Sequence, residues 1–186
     1  MGDPVKLCEI GDTIVWRADN AVFFRAGMQI DADGAPNAYH PGTASRPKSG
    51  RPPGLDDLRN AGASGNWYGV VTDDGKRTGR PVVQGATDPY PGFYVSPTAL
   101  QDATLRATNP RRYVDSTAVP YVVLPGRVAR DPTSARFADA TGLALGDLGM
   151  VFHRGESSHC VYADVGPRGR IGEGSIALRR RSHIDA

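Results

Sequence analysis

Apolar residues in this chain come in short bursts cut off by Gly, Pro, Asp or Asn, with no stretch repeating every three or four residues over helical lengths. The segments 13–16, 21–25, 67–72, 81–84, 92–96, 119–124, 148–153 and 159–165 are each rich in Val, Phe and Tyr and bounded by turn residues, which is the pattern of β-strands. Eight short strands at irregular spacing predict a barrel or a sandwich over alternating strand–helix units. Two short helices are expected. One spans 54–60, closed by Gly62; the other follows Ser175, whose hydroxyl can cap a run ending in Arg179, Arg180 and Arg181, where the helix dipole favours cations.

Composition supports this picture. The 186 residues include 23 Gly and 15 Pro, a share that favours turns over long helices. The length predicts a single domain, residues 1–186, with a surface loop at 43–53 inside a Pro/Gly/Ser-rich basic stretch and a basic tail at 179–186. No apolar run is long enough to span a membrane.

The net charge of +2 is unevenly spread. Arg46, Lys48 and Arg51 in the loop and the three terminal arginines carry it, leaving the remainder slightly acidic. A nucleic-acid reader would show a broader basic stripe interleaved with aromatics, so no nucleic-acid partner is expected. The first ten residues lack an apolar stretch behind a basic start, so no secretory signal is read there.

Candidate chemistry concentrates in one stretch, Tyr162 to Ser175, where Asp164 and Glu173 flank a glycine-rich bend and Glu173 sits between Gly172 and Gly174. Small neighbours let a substrate approach the backbone beside an acid. If the stretch is a hairpin looping through Gly166 to Gly169, Tyr162 faces Glu173 and Asp164 faces Ile171. The two acids are then diagonal neighbours on one face, about 7–8 Å apart at Cα. That overlaps the roughly 6.5–9.5 Å between the carboxyls of an inverting glycosidase. Two solvated acids near a turn would look the same.

Other patterns carry less. Cys8 and Cys160 have no CxxC partner and read as two buried thiols, with a disulfide between them left open. Asp31-Ala-Asp33-Gly34 reads as an Asp-Gly turn, because the remainder of a calcium loop is missing. His40, His153, His159 and His183 lack zinc spacing, and the glycine series at 166–174 lacks a nucleotide-loop order. No metal and no cofactor are expected.

The segment Ala163-Asp164-Val165-Gly166-Pro167, followed by Ile171-Gly172-Glu173-Gly174-Ser175-Ile176-Ala177-Leu178, resembles the most recognisable motif of the fungal-type chitosanases, glycoside hydrolase family 75. Similar blocks follow one another in order: Ile30 to Gly34, Tyr39-His40-Pro41, Gly54 to Leu58, Gly65-Asn66-Trp67, Gly92 to Ser96, Tyr113-Val114-Asp115 and Val119 to Pro125. The run 43–53 is longer than the family's connection, and the chain stops where family members continue into a further apolar run.

The resemblance implies a mainly β fold built on a small twisted β-barrel, a double-psi-like barrel being one form of it, with one or two short helices and long loops. It also implies endo-hydrolysis of β-1,4-linked glucosamine polymers with inversion. Glu173 would be the general acid and Asp164 the general base, with Arg168 or Arg170 available to keep the base ionised. A cationic polymer needs a groove of acids and aromatic faces, for which Asp31, Asp33, Trp67, Tyr113, Asp115 and Tyr162 are candidates. Secretion and a monomeric state go with this reading. Two alternatives remain open: the same chemistry on chitin or partly deacetylated peptidoglycan, and a non-catalytic carbohydrate-binding module.

Overall fold

The computed structural model describes residues 2–44, 54–126, 132–166 and 169–182. The chain forms two compact units, one from Met1–Asp31 with Pro120–Ala186, the other from Ala32–Val119. The protein is mainly β, with two short α-helices among the described residues.

The first unit begins with a meander: β1 (Val5–Ile10), β2 (Thr13–Ala18) and β3 (Ala21–Phe24), all antiparallel. Along β1 and β2 the inward positions Cys8, Ile10, Thr13 and Val15 are buried and their neighbours are not. This alternation is that of a sheet covered on one side. β1 is missing from the predicted strands because Lys6 and Glu9 dilute its apolar content.

The second sheet of this unit has five strands in the order β4 (Gln29–Asp31), β10 (Glu173–Ser175), β7 (Tyr121–Leu124), β9 (Glu156–Val165), β8 (Leu148–His153). Among the described residues it does not close: β4 and β8 are its edges, so an open sheet stands where a barrel was expected. β7 takes the centre because Tyr121, Val123 and Leu124 are buried and Val122 is half-buried, as a strand covered on both faces requires. β8 and β9 form a hairpin through Arg154 (φ 48°) and Gly155 (φ 90°). Two consecutive positive φ values make a type I′ turn, whose twist matches the strands.

Between the sheets, Cys8, Ile10, Val15, Leu124, Tyr162 and Ile171 form a core joined by Phe137 of α1 (Pro132–Thr141). Arg17 donates from Nη2 to the Thr141 carbonyl at 2.8 Å, placing a cation at the helix C-terminus. α2 (Ile176–Arg181) follows β10 directly and is capped by Ser175, whose Oγ accepts from Leu178 N, as the sequence predicts. Arg179, Arg180 and Arg181 fill its last turn; the rest of the expected tail, 183–186, lies outside the described residues.

The second unit is mostly turns. Among its described residues the one ladder is β5 (Gly62–Ala63) with β6 (Asn66–Trp67), after a 3-10 turn at Leu58–Ala61 capped by Asp57 and closed by Gly62. Beyond Trp67, the stretches 67–72, 81–84 and 92–96 run extended and meet through the bridges Thr72↔Pro81 and Val83↔Tyr94 and through backbone hydrogen bonds such as those from Val82 N–H to the Val71 carbonyl and from Val95 N–H to the Val82 carbonyl. A 3-10 turn covers Pro41–Ala44, and most of the predicted surface loop, 45–53, lies outside the described residues.

Candidate functional site

Asp164 and Glu173 are not hairpin partners. β7 stands between their strands, so Tyr162 pairs with Val122 and not with Glu173, correcting the register expected from the sequence. The two acids nevertheless come together by another route. Val123 pairs with Asp164 on one side and with Glu173 on the other. Residues in one row of a sheet point to the same face. Two strand spacings separate them, about 10 Å at Cα.

This placement depends on an irregularity. The pairing of β9 with β7 shifts between Val122 and Val123, so Ala163 is an extra residue in the ladder. Without this bulge Asp164 would point to the core face. Tyr162 does point there: it is buried among the core residues, and its hydroxyl donates to the Leu124 carbonyl at 3.4 Å. Burial, with the Asp164 charge adding to it, pushes its phenol up to about 12. Tyr162 therefore packs against the interior, where it is also among the residues lining an open cavity of about 580 Å³.

Asp31 joins the acids' face through β4, where it pairs with Ser175. Its Oδ2 accepts from the hydroxyl of fully buried Tyr121 at 3.1 Å. A carboxylate oxygen of Asp31 lies within 4.8 Å of one of Asp164. In a flat sheet β4 and β9 would be three strand spacings apart, about 14 Å, more than two aspartates can bridge. The sheet therefore curls, with Asp31, Asp164 and Glu173 on its concave side. Asp31 and Asp164 are close enough to share a cation or a ligand's ammonium group. Tyr121 was not among the residues singled out from sequence; its place is set by strand order, which no local signal encodes.

Glu173 Oε1 accepts from Arg170 Nη2 at 2.6 Å, and the arginine side chain is 51% exposed while the glutamate's is 20% exposed. Arg170 thus pairs with the expected acid and not with the expected base. Arg168 lies outside the described residues. Asp164 Oδ1 accepts from the Val165 N–H at 2.8 Å.

The remaining candidates belong to the second unit. Asp33 Oδ1 accepts from Tyr39 Oη at 2.8 Å and from Ser96 Oγ at 3.0 Å. Asp115 Oδ1 accepts from Thr117 N and Oγ1, closing a local turn. Tyr113 is buried with its hydroxyl on the Ala107 carbonyl at 2.8 Å. Trp67 is half-buried, its ring 6.2 Å from that of Tyr94. Asp115 and Tyr113 thus hold local structure, while Trp67 keeps part of its ring accessible. Cys8 and Cys160 are both free and buried.

No protein-family model matches the chain, and no curated protein matches it.

Proposed function

We propose that the chain is an inverting endo-glycoside hydrolase acting on β-1,4-linked glucosamine polymers, in line with its resemblance to the family 75 chitosanases. The observation that carries this reading is the common pairing of Asp164 and Glu173 with Val123, which aims two carboxyls from one concave face. Without a family or curated match, the reading rests on that geometry and on the motif.

In the reaction, Glu173 gives its proton to the glycosidic oxygen as the bond to the anomeric carbon breaks. Asp164 takes a proton from water, whose oxygen attacks that carbon from the opposite side, leaving an inverted product. Glu173 must carry a proton beforehand, so the exposed Arg170 side chain has to leave it when substrate arrives. Asp31, beside Asp164, is placed to receive a glucosamine ammonium group. The enzyme would act outside the cytoplasm, where such polymers occur.

The Arg170–Glu173 ion pair supports a second reading, a non-catalytic module whose acids only bind amino sugars. Reducing-end release from chitosan by the wild type and Glu173→Gln in parallel, with proton NMR of the first-formed anomer, separates the two. The hydrolase gives α-anomer product that the variant does not. Absence of release from chitosan, chitin and peptidoglycan, with glycan binding retained, establishes the module instead.

A further inference from the structure

We propose that the chain self-associates as a twofold dimer through antiparallel pairing of β8 with the β8 of a second copy.

β8 is an edge of the five-stranded sheet, and its register with β9 is unbroken from Leu148 to His153. The two-residue turn makes His153↔Glu156 a hydrogen-bonded pair. Alternation then assigns Val151 and Gly149 to β9 as well, consistent with the Tyr162 N–H donating to the Asp147 carbonyl at 2.8 Å. The backbone N–H and C=O groups of Leu148, Met150 and Phe152 therefore point away from the sheet. These three residues also carry the exposed apolar side chains: Leu148 is 86% exposed, Phe152 74% and Met150 45%. Unused ladder groups and exposed apolar side chains coincide on the same residues.

Edge strands are ordinarily protected by Lys, Pro, a bulge or a covering segment. β8 contains neither Lys nor Pro, and its ladder with β9 has no bulge. Its residues line an open cavity of about 580 Å³ together with Phe23, Phe24 and Met28.

A second copy fits because the strand is self-complementary. With Met150 on the twofold axis, Leu148 of each copy opposes Phe152 of the other, and the outward backbone groups of all three residues meet their counterparts. On the other face, the same register sets Asp147 against His153 of the second copy. The exposed parts of Leu148, Met150 and Phe152 amount to roughly 400 Å² per copy. Pairing the two edges covers part of that surface on each copy together with the outward backbone groups, a small interface of the kind that assembles reversibly as concentration rises.

The test is sedimentation velocity over a wide concentration range, with cysteine cross-linking to read the register. The wild type is expected to dimerise as concentration rises, whereas Met150→Lys, which sets two ammonium groups against each other, stays monomeric with an unchanged circular dichroism spectrum and melting temperature. On the axis, paired Cα atoms are about 5.5 Å apart, within disulfide reach. Oxidised Met150→Cys is therefore expected to give a covalent dimer, and Phe152→Cys is not. A wild type that remains monomeric throughout, or cross-linking of Phe152→Cys in place of Met150→Cys, overturns the proposal.

Discussion

Replacing the Glu173 carboxyl by an amide keeps its shape and removes its transferable proton. Glu173→Gln and Asp164→Asn are each expected to lower turnover by about 10²–10⁴-fold with little change in polymer binding, measured by reducing-end release and equilibrium binding. Arg170→Ala is a different case. Its ion pair is half-exposed on the arginine side, and such pairs contribute about 0–1 kcal/mol. The variant should melt close to the wild type and retain activity, because the arginine must leave the acid before the acid can work. Stability at high pH falls to other groups. Burial raises the Tyr162 phenol to about 12 and the Cys160 thiol to about 11, from ordinary values of 10.0 and 9.0. Between those limits the unfolded chain gives up protons that the folded chain keeps, so stability is full below about pH 9 and falls as pH rises towards 12. Thermal melts should show this decline, and Tyr162→Phe with Cys160→Ala should flatten it. Residue type alone identified Asp164 and Glu173 beside small neighbours. It could not place Tyr162, because a phenol suits a core and a sugar-binding face equally and the bulge at Ala163 decides which side of β9 each residue faces.

The elements that carry the acids depend on two small residues. Ser175 Oγ accepts from Leu178 N at 3.1 Å and from Tyr121 N at 2.9 Å, so one buried hydroxyl caps α2 and ties β10 to β7. Ser175→Ala leaves both donors without it and should cost about 2–4 kcal/mol in urea unfolding. Gly172, with φ +126°, sets the chain's entry into β10, and a Cβ there would lie 2.2 Å from the Gly27 carbonyl oxygen. Gly172→Ala should cost at least about 2 kcal/mol and lower activity further by displacing Glu173. Strands β2, β3, β7, β8 and β9 were legible because each has a dense apolar or alternating pattern closed by turn residues. The segments 67–72, 81–84 and 92–96 have the same local character yet, beyond Trp67 in β6, make isolated bridges and single backbone hydrogen bonds, since Gly and Pro interrupt the ladders their extended backbones could make. α1 left little trace, with Phe137 its only buried large side chain.

At the scale of the molecule, strand order made the difference. The sequence by itself determined a mainly β chain, the cap that begins α2 and the glycine-flanked acids, because these follow from periodicity, capping chemistry and residue size. Only the tertiary structure decided that β7 enters between β9 and β10, that the sheet stays open with β8 at its edge, and that Asp31 meets Asp164 across a curled surface. The reason is physical: a strand's apolar pattern states which of its faces is buried, but its neighbours are chosen by competition among all strands for the centre of the sheet. β7, buried on both faces, won that position, and Val123 came to lie between the two acids.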